Sequence, residues 1–381
     1  MDFLLTEDQK MLQESIRNFA KKEVLPLIKE HDEKGHWPEG LTRKLGEMGL
    51  LGITFPPEHS GSGYSYVDYV IILEELSKVD PSVGLVVAAH NSLCCNHIFQ
   101  FGTEAQKKKY LKRLFAGQTL GAWALTEAGA GSDAASMRSR AEKKGDHWVL
   151  NGTKMFITNG SLAEITVVMA YTDPTKGRHG ISAFILEKGM PGFRPGKKED
   201  KLGIRAADTA ELIFEDVEVP AENMLGEPGS GYRAAMSILD GGRVSIAGFA
   251  LGIAAGALET ALKYSKERVQ FNQPISQFQA IQWMLADGFT ELEAARLLTF
   301  RAAFLEDRGK KIPKESAMAK LYASELAVKA SSLAVQILGG YGFTKDYPAE
   351  KFYRDSKVAT IGEGTSEIQR WIIAQKVLEE Y

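Results

Sequence analysis

The chain is short of cysteine, carries almost no net charge and lacks the spacings that hold metals, and each shortage excludes a class of protein. Only Cys94 and Cys95 occur among 381 residues. Adjacent cysteines cannot build a disulfide framework, so the chain reads as intracellular and reduced. A formal net charge of −3 gives no reason to expect nucleic acid or an anionic membrane as a partner. The basic run Lys107 to Arg113 is the one local exception, most simply the solvated face of a helix. His31, His36, His59, His90, His97, His147 and His179 are scattered, so no metal is expected. The start, Met1-Asp2-Phe3-Leu4-Leu5-Thr6-Glu7, has no basic region leading into an apolar one, and no secretory signal is expected. No apolar run looks long enough to span a bilayer, so no membrane insertion and a cytoplasmic location are expected. Internal repeats and low-complexity linkers are absent too.

What is present is an ordinary globular composition, 44% hydrophobic and 25% charged, on a chain long enough for two or three lobes. Residues 1–118 have a helical period. Leu12, Ile16, Phe19, Ala20 and Val24 recur after Thr6, and Pro26 interrupts them. Helices are also predicted around 40–48 and 67–78, and from Pro81 a buried one, apolar all round, to Phe99. Residues 119–232 change to short alternating segments, such as 147–150, 164–171, 181–186 and 211–219, divided by Asn151-Gly152, Asn159-Gly160 and Pro191-Gly192. They predict an antiparallel β domain, a small barrel or sandwich. In residues 233–381 the helical period returns over long stretches, near 232–269, 276–307, 314–338, 348–357 and 365–380, which predicts a four-helix-type bundle. The fold class is therefore α+β: helical, then antiparallel β, then helical.

Several segments concentrate chemistry. Glu363 stands between Gly362 and Gly364, followed by Thr365 and Ser366, which can cap a helix. The glycines would leave its carboxylate unshielded, as a catalytic base on a rigid scaffold needs. A plainer reading is an acid placed for the helix dipole. The run from Trp123 to Asp133 is a strand entering a glycine-rich loop, suited to a phosphate or cofactor edge or to an ordinary tight turn. It is not the dinucleotide fingerprint, which needs a third glycine opening a helix. Lys154 to Gly160 puts a hydroxyl and an amide at a strand end, or makes a hairpin turn. Asp240 and Arg243 share one helix face, as ligand contacts or as an intrahelical ion pair. Arg268, Phe271, Phe278 and Gln279 group a cation, aromatics and an amide around a helix break. Gln336 to Gly342 ends a helix in glycines, where main chain can meet a ligand or close the helix.

In this order, these motifs resemble the acyl-CoA dehydrogenase family of flavoenzymes over essentially the whole chain. The resemblance implies FAD as cofactor, an acyl-CoA thioester as substrate and electron-transferring flavoprotein as electron acceptor. It also implies a homotetramer. Residues 125–133 look like the family's flavin and substrate loop, with Ala124, Leu125 and Thr126 lining the ring and Ser132 reaching both ligands. Phe156, Ile157 and Thr158 look like its flavin-facing strand, with Phe156 where Trp is frequent and Thr158 donating near flavin N5. Arg268, Phe271, Phe278, Gln279, Gln336, Ile337, Leu338, Gly339 and Gly340 match positions that bind the FAD of a neighbouring subunit. Thr365, Ser366 and Glu367 are likewise assigned to the cofactor, and Asp240, Arg243 and Gly364 to the substrate. Glu363 matches the base that takes the α-proton while the β-hydrogen leaves as hydride to flavin N5. A desolvated site should raise its pKa.

Some relatives, isovaleryl-CoA dehydrogenases among them, carry the base on the earlier helix, immediately before the arginine of the Asp-x-x-Arg pair. Gly242 stands there in this chain and cannot be a base, which favours the short- and medium-chain arrangement. Gly362 departs from that pattern, since many such relatives have Tyr. The missing ring predicts room for a branched or alicyclic acyl group. An acyl-CoA oxidase is a second reading, although those relatives usually have a further C-terminal domain for which there is no length here. A non-catalytic acyl-CoA-binding protein is a third, and Glu363 argues against it. Asn91 is read as a core polar residue before a pocket residue.

Overall fold

The computed structural model describes residues 4–380. The N-terminal region holds α1 (Glu7–Phe19), α2 (Ile28–Lys34), α3 (Leu41–Glu47), α4 (Tyr66–Val79), α5 (Pro81–Ala89), α6 (Asn96–Phe101) and α7 (Glu104–Phe115). Three of these begin with reciprocal caps. Thr6, Ser65 and Thr103 each accept from the main chain three residues on, and that residue's side chain accepts in return. Pro26 does not stop the chain's helical course. A π turn (Ala20–Val24) and a 3-10 turn (Leu25–Leu27) carry it into α2, with the proline at the opening of the short turn, where no N–H is required. Between α5 and α6 another π turn, His90–Cys95, keeps the helix winding, and every residue in it is buried.

The middle region consists of β1 (Gly121–Ala124), β2 (Arg140–Lys144), β3 (His147–Thr158), β4 (Ile165–Tyr171), β5 (Ile181–Glu187), β6 (Phe193–Lys198), β7 (Thr209–Pro220) and β8 (Met224–Leu225). Seven strands run in the order β6-β7-β3-β2-β4-β5-β8, and β1 branches from β4. Most neighbours are antiparallel, but β1 runs parallel to β4, and β2 touches β4 in parallel through Arg140 and Tyr171. The sheet is therefore mixed. Its apolar face is filled by Trp148, Leu150, Phe184, Leu212 and Phe214.

The C-terminal region packs α8 (Gly231–Glu267), α9 (Gln279–Asp307), α10 (Pro313–Leu338), α11 (Ala349–Ser356) and α12 (Ser366–Glu380), with the small strands β9 (Val269–Gln270) and β10 (Gln273–Pro274) between α8 and α9. By length and composition α8 is apolar enough to cross a bilayer, contrary to the expectation that no run is. Of its most apolar stretch, 89% is buried inside the protein, so it is the central helix of the core. A Cβ on Gly252 would lie 2.5 Å from the Glu74 carbonyl oxygen; only glycine lets α8 lie this close to α4.

A buried charge cluster joins the three regions. Lys351 on α11 donates to Asp80 (2.8 Å), the residue that caps α5, and to Asp355 (2.5 Å). Asp355 also accepts from the Ile204 main chain at 2.5 Å, and Arg354 pairs with Asp32 at 2.9 Å. The Lys351 ammonium is held charged by its two carboxylates against the pull of burial.

Candidate active site

Glu363 lies on a left-handed turn. After the 3-10 turn Lys357–Thr360, Gly362 donates its N–H to the Val358 carbonyl at 2.8 Å, and the chain reverses with φ of +53° at Glu363 and +93° at Gly364. A non-glycine residue held there costs about 1–3 kcal/mol, so its surroundings must hold it in place. Lys320 on α10 donates from Nζ to the Gly364 carbonyl at 2.6 Å. Gln369 on α12 donates from Nε2 to the same carbonyl at 2.9 Å and to that of Glu363 at 3.4 Å. Thr365 then accepts from the Ile368 N–H at 3.3 Å and starts α12.

The glycines do not leave the carboxylate unshielded, as the sequence suggested. They permit a turn that tucks it inward, with its Oε2 sealed from solvent and without a partner among the described residues. It points at Gly242 on α8, where any Cβ would overlap Oε2 and sit 3.5 Å from Leu93. Burial pushes the Glu363 carboxyl up to about 8, with Lys320 and Arg243 pulling it back. The helix-dipole position belongs instead to the exposed Glu367, which lies in the first turn of α12. Ser366 is buried, with its hydroxyl unpartnered among the described residues.

Beneath the turn, Ser245 donates to the Gly242 carbonyl (2.7 Å) and to Ser92 (3.1 Å), and Ser92 donates to Ala88 (2.7 Å). The buried Tyr69 donates to the same Ala88 carbonyl at 3.2 Å; burial and the charge of Glu363 both push its phenol upward. Asp240 and Arg243 do form an ion pair, and it leaves the sealed Arg243 Nε with no acceptor among the described residues. Asn91 is fully occupied in the core, bonding the Ile53 N–H and the Leu50 and Val87 carbonyls at 2.9–3.0 Å.

On the sheet side, β1 delivers the loop that follows Ala124. The side chains of Ala124, Leu125 and Ile157 are core residues, so a ligand can meet these positions only through main chain. Thr126 and Thr158 are half-buried, and their hydroxyls have no partner among the described residues. Phe156 is 60% exposed on a left-handed backbone, φ +59°, while Ser132 is exposed and a Cβ on Gly129 or Gly131 would meet nothing within 4 Å. An outward aromatic, two free hydroxyls and an open glycine loop fit a planar cofactor with a polar edge.

Sequence reasoning missed what holds this loop. The buried Glu127 accepts from the Arg138 and Ser139 N–H groups (2.6 and 3.0 Å), from the Ser139 hydroxyl (2.6 Å) and from Lys154 (2.9 Å). Lys154 also donates to the Leu125 carbonyl at 3.0 Å, and burial pushes it down to about 8. Burial would raise Glu127, but Lys154 and these hydrogen bonds outweigh it and hold it below the usual carboxylate range. Both residues stand in the quoted motifs, but their 27-residue separation gave no sign that they pair.

A second group forms elsewhere. Arg268, Ile337, Leu338, Gly339 and Gly340 line an open groove of about 500 Å³, with the Arg268 guanidinium 5.7 Å from the Tyr341 ring. Phe271 is 88% exposed and meets Phe278 edge to face at 6.0 Å; Gln279 opens α9, and Gln336 is exposed on the last turn of α10. No hydrogen bond or ion pair among the described residues joins this group to the Glu363 turn.

Comparison with known proteins covers both halves of this arrangement. Family models described as the N-terminal, middle and C-terminal domains of acyl-CoA dehydrogenase match residues 6–118, 122–217 and 229–378. The short-chain specific acyl-CoA dehydrogenase of Clostridium acetobutylicum is 48% identical over 377 residues, covering 99% of this chain and 100% of that one. Butyryl-CoA dehydrogenase from Megasphaera elsdenii superposes with a TM-score of 0.97 at 46% identity, covering 99% and 100% of the two chains. A chain from structural work on the electron-transferring flavoprotein of Acidaminococcus fermentans superposes at 0.98 with 51% identity and the same coverage.

Proposed function

The chain belongs to the acyl-CoA dehydrogenase family of FAD-dependent oxidoreductases, and we propose that it converts a short-chain, branched or alicyclic acyl-CoA to the 2-enoyl-CoA with Glu363 as the base. The observation that carries this reading is a carboxyl whose Oε2 is sealed from solvent and unpartnered among the described residues, raised to about 8 by burial, on a turn held from two helices. When bound, FAD supplies the oxidant that takes up the β-hydrogen.

The rest of the chemistry belongs to this chain's own residues. An α-proton of a thioester is weakly acidic, and a carboxylate stripped of water is a stronger base than one in solvent. Glu363 takes that proton and keeps it, because the neutral acid is the form its surroundings prefer. Lys320 and Arg243 limit the cost of its ionised form. Thr126 and Thr158 offer hydroxyls to the cofactor edge, Phe156 offers a ring face, and the Glu127–Lys154 pair keeps their loop rigid. Arg243, oriented by Asp240, is the proposed cationic contact for the CoA moiety.

Room beside the base supports a broad acyl group. A Cβ on Gly362 would meet only Val358, at 3.5 and 3.9 Å. We also propose a homotetramer, supported by the exposed residues around Arg268 and by an open apolar groove lined by Leu298, Met318, Leu321, Tyr322 and Ile373. Electron-transferring flavoprotein is the proposed acceptor, supported by the last of the structural likenesses above. The test is anaerobic flavin reduction across straight, branched and cyclic acyl-CoAs, comparing the unmodified enzyme with Glu363→Gln. Reduction of the variant at the unmodified rate would show that Glu363 is not the base. A strict preference for unbranched butyryl-CoA would refute the wider pocket.

A further inference from the structure

Lys320 is a buried cation whose charge the fold alone does not use. Its side chain is 0% exposed, and the one hydrogen bond it makes among the described residues is to the main-chain carbonyl of Gly364. A neutral donor would serve that bond as well, without the several kcal/mol that burying an ammonium costs. No carboxylate lies within ion-pair distance of it among the described residues, and burial pushes it down to about 8. The acids that act on it from a distance are Glu363 and Glu367, and the neighbouring cation is Arg243.

From the other side, Glu363 is faced by Lys320 on α10, Arg243 on α8 and Tyr69 on α4. Tyr69 is neutral, and Arg243 is already paired with Asp240. Lys320 is therefore the cation left without an ion-pair partner when Glu363 ionises.

We propose that Lys320 is a positioning residue for Glu363: with Gln369 it clamps the left-handed turn through the Gly364 carbonyl, and its ammonium is the counter-charge against which the base ionises. The proposal rests on the reading of Glu363 as the base. Its sign is fixed. Burial raises the carboxyl and Lys320 lowers it, so removing the ammonium lets the carboxyl rise further. The pH at which kcat/KM climbs then moves upward, because that limb reports the base of the free enzyme.

The experiment is second-order anaerobic flavin reduction against pH for Lys320→Met, Lys320→Gln and Lys320→Arg, with FAD content and Tm measured alongside. Lys320→Gln removes the charge and keeps an N–H donor toward Gly364 on a side chain one atom shorter. Its rising limb should move up by about one pH unit, with about tenfold slower reduction at pH 7 recovered at high pH. Lys320→Arg should keep the limb near its original place. Lys320→Met should show the same shift and a lower Tm from the lost clamp; should it fail to fold, Lys320→Gln decides.

A second readout needs no turnover. In pH-difference infrared spectra, the protonated-carboxyl band that Glu363→Gln abolishes should persist to higher pH in Lys320→Gln. Unshifted limbs and an unshifted band in a folded, FAD-loaded Lys320→Gln would overturn the proposal, as would a uniform loss at every pH. Glu363→Gln separates the two ideas. If it reduces flavin normally the base itself is wrong, whereas a dead Glu363→Gln beside an unshifted Lys320→Gln refutes only the role of Lys320.

Discussion

Replacing Glu363 with glutamine should stabilise the protein as it abolishes the chemistry, and the gain should depend on pH. The folded chain holds this carboxyl near 8, against an ordinary value of 4.5. Between those two values the folded state keeps a proton that the unfolded chain has already released, so stability falls as pH rises through the window. Above both, the penalty is about 5 kcal/mol at most, taking 1.36 kcal/mol for each pH unit. Glutamine fills the same space and never ionises. Its amide must find hydrogen bonds where Oε2 has none, and a buried amide left short of partners costs about 1–3 kcal/mol, which reduces the net gain to about 2 kcal/mol. At about 2.1 cal/mol/K per residue, a chain of this length converts 2 kcal/mol into about 2–3 °C of Tm. Thermal unfolding of the FAD-loaded enzyme and of Glu363→Gln, measured side by side from pH 5 to 9, checks it. The two Tm values should nearly coincide at pH 5 and separate progressively, with the variant higher, until pH 8. A variant that melts lower, or a gap that does not change with pH, would refute the buried-acid account of this site.

Gly242→Ala tests the same site from α8. Its Cβ would overlap the end of a flexible side chain rather than main chain, so Tm should change little while Glu363 is pushed aside. Flavin reduction should fall about a hundredfold, the usual cost of misplacing a reacting group by about 1 Å. An unchanged rate would mean that Glu363 works from another position. Lys351→Met tests the joint between the three regions. It leaves Asp80 and Asp355 buried without their cation, which should cost about 3–5 kcal/mol in a denaturant-unfolding series. A loss under 1 kcal/mol would show that the cluster is replaceable.

The helical and β regions were legible because their periods are strong; α8, α9 and α10 fall within three residues of the stretches read from the sequence. The parallel placement of β1 beside β4 was not, since alternation along a strand says nothing about which neighbour it pairs with. Pro26 marks a change of winding rather than an end, because its missing N–H falls where a short turn begins. Among the site residues, Glu363 and its glycines were visible, but the direction of the carboxylate was not. That depends on φ at two successive residues and on Lys320, 43 positions earlier, and Gln369, six later. The Glu127–Lys154 pair escaped for the same reason. Its members meet only once β1 and β3 have brought the loop and the strand together.

On the proposed reading of Glu363 as the base, its contact with Gly242 leaves no room for a second acid at position 242. In this backbone a Cβ on residue 242 overlaps the Glu363 carboxylate. Both side chains would therefore compete for one volume, reached from α8 in one case and from the turn before α12 in the other. A glycine at 242 is thus part of the machinery of Glu363, as much as the clamp on Gly364 is. Two sequence features far apart in the chain, a glycine before an arginine and an acid between glycines, are then one structural choice, because their side chains would fill one volume.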